Sequence, residues 1–341
     1  MLDPGTTPTL RFVIAGKLQR DFLLLPDSSQ CLDVLGGSLL YAASGLSLWE
    51  QGIGLLGRIG DNYPQDWISN IRQRGFDIHG IHILPEPVDL RRFTGYTAGG
   101  TSLEEDPVAH FARLGYPFPK SLLDYRPPSG GIDSRIRMDP LSPRLTDIPS
   151  DYLDAGSAHI CPMDYLAHTL LPSTFRQGHI TTITLDAGPG YMNPTFFDGI
   201  PAVLSGLTAF LTNEEKIRNL FQGRTSDLWA MAEELASYGC ELIVIKRGDR
   251  GQILYDHASH ARWIVPAYPA RLVDPTGTGD AFCGGFLAGF RTTYLPLEAV
   301  LYGNISASFT LEGTGVFYTM DAYPPLAKLR ISSLRNLIRK A

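Results

Sequence analysis

Cysteine is scarce in this chain and badly placed for bridging. The four residues are Cys31, Cys161, Cys240 and Cys283, with no C-x-x-C pair. Neither a disulfide framework nor a cysteine zinc site is therefore expected, and buried free thiols are the better reading. The eight histidines contain no H-E-x-x-H or other ligand spacing. No apolar run approaches the roughly 20 residues that cross a bilayer. The opening stretch MLDPGTTPTLRF has neither the basic start nor the apolar core of a secretion signal, so a cytoplasmic protein is expected. Charged residues make up only 19% of the chain, with a net charge of -6. That balance argues against nucleic acid and anionic membrane as partners, since both require clustered basic surface. Internal repeats and low-complexity tracts are absent, as is G-x-x-x-x-G-K-[ST], and the Gly277-Thr278-Gly279 turn lacks the G-x-G-x-x-G spacing because Phe282 stands at the third Gly position.

What remains is 341 residues, 44% of them hydrophobic, enough for one large or two smaller ordered domains. Short apolar runs alternate with longer amphipathic ones. Leu10 to Ala15, Ile53 to Leu56, Ser157 to Cys161, Ile180 to Leu185, Phe210 to Thr212, Glu241 to Ile245 and Gln252 to Tyr255 read as strands. Asp66 to Arg74 and Ser226 to Tyr238 read as helices, the first with Asp66 as N-cap, and they stop at Gly75 and Gly239. This alternation predicts an α/β fold with a mostly parallel sheet and its ligand at the C-terminal strand ends. Lys17 to Pro26 and Arg91 to Tyr116 carry β-type residues without an obvious crossover helix, and predict a small separate sheet. Arg91 and Arg92 read as charges on its exposed edge, or as contacts to an anionic substrate. Pro117 to Pro149 reads as a long surface connection.

The chemistry concentrates in Leu272 to Phe290, LVDPTGTGDAFCGGFLAGF. Gly277 and Gly279 permit tight or positive-φ backbone. The N–H groups of Gly277, Thr278, Gly279 and Asp280 can then converge at a helix N-terminus and hold an anion. An acid at such a point repels phosphate unless it has another task. Asp280 as general base would take a proton from an attacking hydroxyl while the amides stabilise a transferring phosphoryl group. The alternative is a Gly-rich turn in which Asp280 only complements the helix dipole. Gly284, Gly285 and Gly289 cost about 1 kcal/mol each inside a helix, and imply something packed closely against it.

Asp274-Pro275-Thr276-Gly277-Thr278-Gly279-Asp280 resembles the D-T-x-G-A-G-D signature of the PfkB, or ribokinase-like, carbohydrate kinases. Further segments resemble the family in its order: GKLQRD at Gly16 to Asp21, GGSLLYAA at Gly36 to Ala43, GRIGD at Gly57 to Asp61, Asn213-Glu214-Glu215 and KRGDRG at Lys246 to Gly251. The resemblance implies a three-layer α/β core (residues 1–16, 27–90 and 117–341) with a small β lid (17–26 and 91–116) over the acceptor. It implies ATP and Mg²⁺, with Asp280 as base and the amides of Gly277, Thr278 and Gly279 as anion hole. Asp21, Gly36, Gly37 and Ser38 would face a small sugar or nucleoside. Asn213, Lys246, Gly248, Gly251 and Asn304 would surround the nucleotide. Asp274 and Thr276 match positions that hold K⁺ in some members, and a homodimer would form through the lid.

Three departures bear on function. Lys216 stands where the N-x-x-E motif has its Glu, with Glu214 and Glu215 the nearest acids. Glu215 could replace the missing acid by a one-residue shift, Lys216 could meet phosphate directly, or Lys216 could be a solvated charge. Ser38 and Tyr41 replace the two Asn of the G-G-N-x-x-N segment, which changes the hydrogen bonding offered to a sugar. Gln65 replaces a turn Gly. A kinase for a sugar-like metabolite is the reading these features favour. The rivals are a nucleoside kinase of the same fold and a catalytically weak sensor.

Overall fold

The computed structural model describes residues 10–127 and 131–341. Residues 1–9, most of the opening stretch considered for a secretion signal, lie outside them. Strands β1 (Phe12–Ala15), β4 (Ile53–Gly60), β5 (Ile81–Leu84), β8 (Ser157–Ile160), β9 (Thr182–Asp186), β10 (Ala209–Asn213), β11 (Leu242–Lys246), β12 (Gln252–Asp256), β13 (Ala261–Val265) and β14 (Arg339–Lys340) form one sheet. Its order is β14-β13-β12-β11-β10-β9-β8-β1-β4-β5. From β5 to β11 every pairing is parallel, and from β11 to β14 every pairing is antiparallel. A second sheet holds β2 (Gln19–Leu24), β3 (Gln30–Gly36), β6 (Arg91–Tyr96) and β7 (Ser102–Leu103), in the order β3-β2-β6-β7.

The helices are α1 (Ser38–Ser47), α2 (Gln65–Gln73), α3 (Pro107–Arg113), α4 (Tyr165–Gln177), α5 (Ile200–Leu204), α6 (Glu214–Leu220), α7 (Leu228–Ser237), α8 (Thr278–Thr293), α9 (Pro296–Leu311) and α10 (Pro324–Arg335). Apart from α3, which packs on the second sheet, they lie on both faces of the main sheet, because its central strands are apolar on both sides. Val13 and Ala15 enter a cluster with α4, α5 and α7, whereas Phe12 and Ile14 pack with α1 on the other face. Ile243 and Ile245 divide from Leu242 and Val244 in the same way. The fold is the α/β architecture with a mostly parallel sheet that the strand–helix alternation predicts, in the three layers that the family resemblance implies.

Several local readings change. The helix read from Asp66 begins at Gln65 behind Pro64, and Asp66 lies in its first turn rather than at the cap. The second sheet also draws on β3, which lies beyond Lys17 to Pro26. The stretch Arg91 to Tyr116 includes α3, started by Asp106, whose carboxylate accepts from Ala109 N, with Pro107 in the first turn. β6 is an interior strand of its sheet, not an edge. Arg91 binds Asp89 and the carbonyls of Ser121 and Leu123, and Arg92 pairs with Glu104. Phe22, Leu24 and Phe93 point to one side and pack with Phe111 and Leu122. That face is therefore covered by the chain itself, and the edges β3 and β7 are what a lid-mediated dimer would have to use. None of the helices among the described residues is long and apolar enough to cross a membrane.

Candidate active site

The glycines of α8 explain how the site is framed. An added Cβ at Gly284 would lie 1.8 Å from Ala42 O on α1. At Gly285 it would lie 2.3 Å from Ser306 Oγ on α9, and at Gly45 it would lie 2.2 Å from Ala281 O. Three helices thus meet backbone to backbone, which fixes the N-terminus of α8 against α1. Gly277, with φ +70°, opens α8, and its missing Cβ is replaced by the ring of Tyr41, whose Cγ would be 2.0 Å away. Tyr41, in the position of the family's second Asn, thereby lies against the Gly-rich turn.

Around that turn the Thr278 N–H bends back to Pro275 O (3.3 Å), and the Ala281 N–H closes the first turn on Gly277 O (2.8 Å). Among the described residues the N–H groups of Gly277, Gly279 and Asp280 meet no acceptor. Asp280 is partly exposed, and among the described residues its carboxylate makes no hydrogen bond. Desolvation in the cleft, with Asp186 nearby, raises its pKa to about 6, against the pull of Lys246 and Lys216. A carboxylate with this pKa and free oxygens suits proton abstraction near neutral pH.

On one side lies the second sheet. Asp21 and Arg92 are register partners on the face opposite Phe22 and Phe93. Asp21 is 3% exposed and lies over Gly36, where a Cβ would be 1.9 Å from Asp21 Oδ2. The Gly37 N–H supports its carboxylate, yet Oδ1 is buried without a partner. Burial raises its pKa to about 7, with Asp274 and Asp280 reinforcing the shift and Arg92 opposing it. Ser38 opens α1, with its Oγ 3.5 Å from Lys17 N, and Lys17 reaches Asp139 at 2.7 Å. Tyr96 of β6 bonds Thr276 in the signature turn at 2.9 Å, which joins the two sheets directly. Asp274 is buried and accepts from Thr276 N at 2.9 Å, while its Oδ2 has no partner.

On the other side the strand ends β9, β10 and β11 bring Asp186, Asn213 and Lys246 together. Lys246 Nζ donates to Asp186 Oδ2 (2.7 Å), Gly279 O (3.3 Å) and Cys283 Sγ (3.3 Å). Burial disfavours this ammonium, but Asp186 more than offsets it, and its pKa lies above the ordinary lysine value. Lys216 Nζ donates to Ala187 O at 2.7 Å. Asn213 caps α6 by accepting the Lys216 N–H at 2.7 Å. Glu215 is exposed on the helix surface. Glu214 is held by Arg218 and Arg250. Gly248 and Gly251 form the turn after β11, with φ of +61° and +77°. Asn304 is buried, and its amide is fully engaged. Oδ1 accepts from Tyr268 N (2.9 Å), and Nδ2 donates to Gln252 Oε1 (2.7 Å) and Pro266 O (2.8 Å). Its amide thus braces the loop after β13, with both Nδ2 N–H bonds committed. Tyr96 carries no signal in the sequence that marks it as a site residue. A signal for Asp186 existed, since it ends an apolar strand before Gly188 and Pro189.

The pfkB family carbohydrate kinase model matches residues 167–322. Inositol 3-kinase of Arabidopsis thaliana is 36% identical over 313 residues, covering 92% of this chain and 77% of that one. Cytidine kinase of Thermococcus kodakarensis is 27% identical over 285 residues, covering 82% and 88%. Among solved structures, a putative ribokinase II from E. coli in complex with ATP and Mg²⁺ aligns over 95% of this chain and 99% of its own, with TM-score 0.67 and 16% identity. A Burkholderia thailandensis nucleoside kinase in complex with inosine aligns over the same shares, with TM-score 0.68 and 16% identity. The signature turn, the core topology and these similarities agree: the chain belongs to the pfkB family of carbohydrate kinases, phosphotransferases with a hydroxyl acceptor.

Proposed function

We propose that this protein transfers the γ-phosphoryl group of ATP to one hydroxyl of a small, uncharged sugar or cyclic polyol. The observation that carries the reading is Asp280, a half-buried carboxylate that, like the neighbouring amides of Gly277 and Gly279, has no hydrogen-bond partner among the described residues. In the reaction Asp280 takes the proton of the acceptor hydroxyl. The acceptor oxygen forms a bond to the γ-phosphorus as the bond to the β–γ bridging oxygen breaks, and ADP leaves. The amides are aimed at the oxygens that gain charge in transit. Asp21 Oδ1 is positioned to accept from an acceptor hydroxyl. The carboxylates of Asp21, Asp274 and Asp280 cluster here while Arg92 is paired with Glu104, which disfavours an anionic acceptor. The second sheet acts as a lid, with Tyr96 to Thr276 as its latch, and excludes water that would otherwise hydrolyse ATP.

Mg²⁺ between nucleotide phosphates draws most of its ligands from phosphate and water. That fits a site in which no three acidic, His or Cys side chains among the described residues converge as a metal cage. When bound, Mg²⁺ neutralises phosphate charge. The unpartnered Asp274 Oδ2 fits a monovalent cation held behind the signature turn. A nucleoside acceptor is the second reading, favoured by the similarity to the Thermococcus kodakarensis cytidine kinase over most of both chains. The test is ADP release from Mg-ATP across inositols, hexoses, pentoses, cytidine and inosine. A polyol or sugar as the best acceptor supports the first reading, and a nucleoside supports the second. Turnover equal with and without any acceptor contradicts both.

A further inference from the structure

The two lysines at the strand ends do different work. An ammonium has three N–H bonds to donate. Lys246 commits them to Asp186, Gly279 O and Cys283 Sγ. Its side chain is 13% exposed, and that of Asp186 is 4% exposed. Lys246 is therefore the counter-charge of a buried acid, with little left for a ligand. Lys216 stands one strand over, because Asn213 is the register partner of Lys246 and Lys216 follows in the first turn of α6. The Asn213 cap fixes its backbone at 2.7 Å, and so sets where the side chain departs. Its Nζ meets one acceptor, Ala187 O, and among the described residues two of its N–H bonds have none. Ala187 follows β9 at the C-terminal end of the parallel strands, the end at which α/β sheets hold ligands. Asp186 and Asp280 both lie within its electrostatic reach.

We propose that Lys216, and not Lys246, is the side chain that takes the phosphate oxygens of the nucleotide, by direct charge-assisted hydrogen bonds. This rests on the kinase reading above and deepens it. An acid at the same point of the helix can approach phosphate only through a metal and its water. A lysine there binds phosphate itself, so nucleotide affinity keeps a component that needs no metal.

The probe is ADP, titrated calorimetrically into the full chain with Mg²⁺ and again with EDTA. Wild-type protein is expected to bind in both. Lys216→Met is expected to weaken ADP about tenfold or more in both media, as loss of a charge-assisted hydrogen bond requires, with an unchanged melting temperature. Lys216→Arg should stay within about threefold of wild type, the charge being retained. Lys216→Glu should abolish binding in EDTA and recover part of it with Mg²⁺. Lys246→Met should melt at lower temperature, since it strands Asp186. Unchanged ADP affinity in Lys216→Met, or wild-type ADP binding that vanishes in EDTA, overturns the proposal while acceptor-dependent turnover of the wild type keeps the kinase reading. A wild type with neither ADP binding nor turnover overturns both.

Discussion

Gly284→Ala tests the claim that helix contact positions the catalytic turn. The new Cβ would lie 1.8 Å from Ala42 O, where contacts under 3.0 Å are not tolerated, so α8 and α1 must part by about 1 Å. Ala42 O belongs to a helix backbone and cannot rotate away. Overpacking of this kind costs about 1–3 kcal/mol, and the gain in helix propensity over Gly returns about 1 kcal/mol. A net loss of up to about 2 kcal/mol corresponds to a melting temperature lower by up to about 3 °C at this chain length. Asp280 lies one turn upstream on the same helix, and a displacement of about 1 Å at reacting groups can cost on the order of a hundredfold in rate. The expected result is a small thermal shift with a disproportionate fall in kcat. Differential scanning fluorimetry and steady-state kinetics measure the two quantities. Gly45→Ala, which meets Ala281 O from the other side, should behave alike. A Gly284→Ala protein with unchanged melting and full turnover would refute the reasoning.

The remaining predictions concern the site's charges and its supports. With Asp280 at about 6 and active only when ionised, log kcat/KM should fall with unit slope below about pH 6 and level off above it; a profile flat to pH 5 contradicts this. Burial holds the Asp21 and Asp280 carboxyls above the ordinary aspartate value of 3.8. Their contribution to stability is therefore full below about 3.8 and lost as pH rises through about 6 and 7, so substituting both with Asn should flatten the fall in melting temperature over that window. Asn304→Ala strands the Tyr268 N–H, Gln252 and Pro266 O, and should cost about 2–3 kcal/mol by chemical denaturation. If Asp274 Oδ2 faces a monovalent ion, replacing K⁺ by a large organic cation should lower turnover in the wild type but not in Asp274→Asn.

The core topology was legible because parallel strands buried on both faces leave apolar runs such as Glu241 to Ile245, and because Gly75 and Gly239 stop helices by positive φ. The signature turn was legible for the same backbone reason at Gly277. Side-chain partnerships were not. Nothing in the one-dimensional pattern says that Lys246 would meet Asp186, 60 residues earlier, or that Asn304 would brace a loop near Pro266. β3 was missed because Gln30 to Gly36 is half-buried and lacks clean alternation. Helix α3 did announce itself, through Asp106-Pro107, but at seven residues it is too short for periodicity to show. Tyr41 could be seen to replace an Asn; only the packing shows that its ring fills the space a Cβ at Gly277 would need.

Acceptor-dependent ADP release by the wild type beside Asp280→Asn tests the central claim most directly, with ADP binding measured on both proteins. Turnover should fall by about 10²–10⁴ in the variant while ADP affinity stays within a few-fold. A variant that turns over like the wild type would show that Asp280 takes no proton and would contradict the assignment of the site.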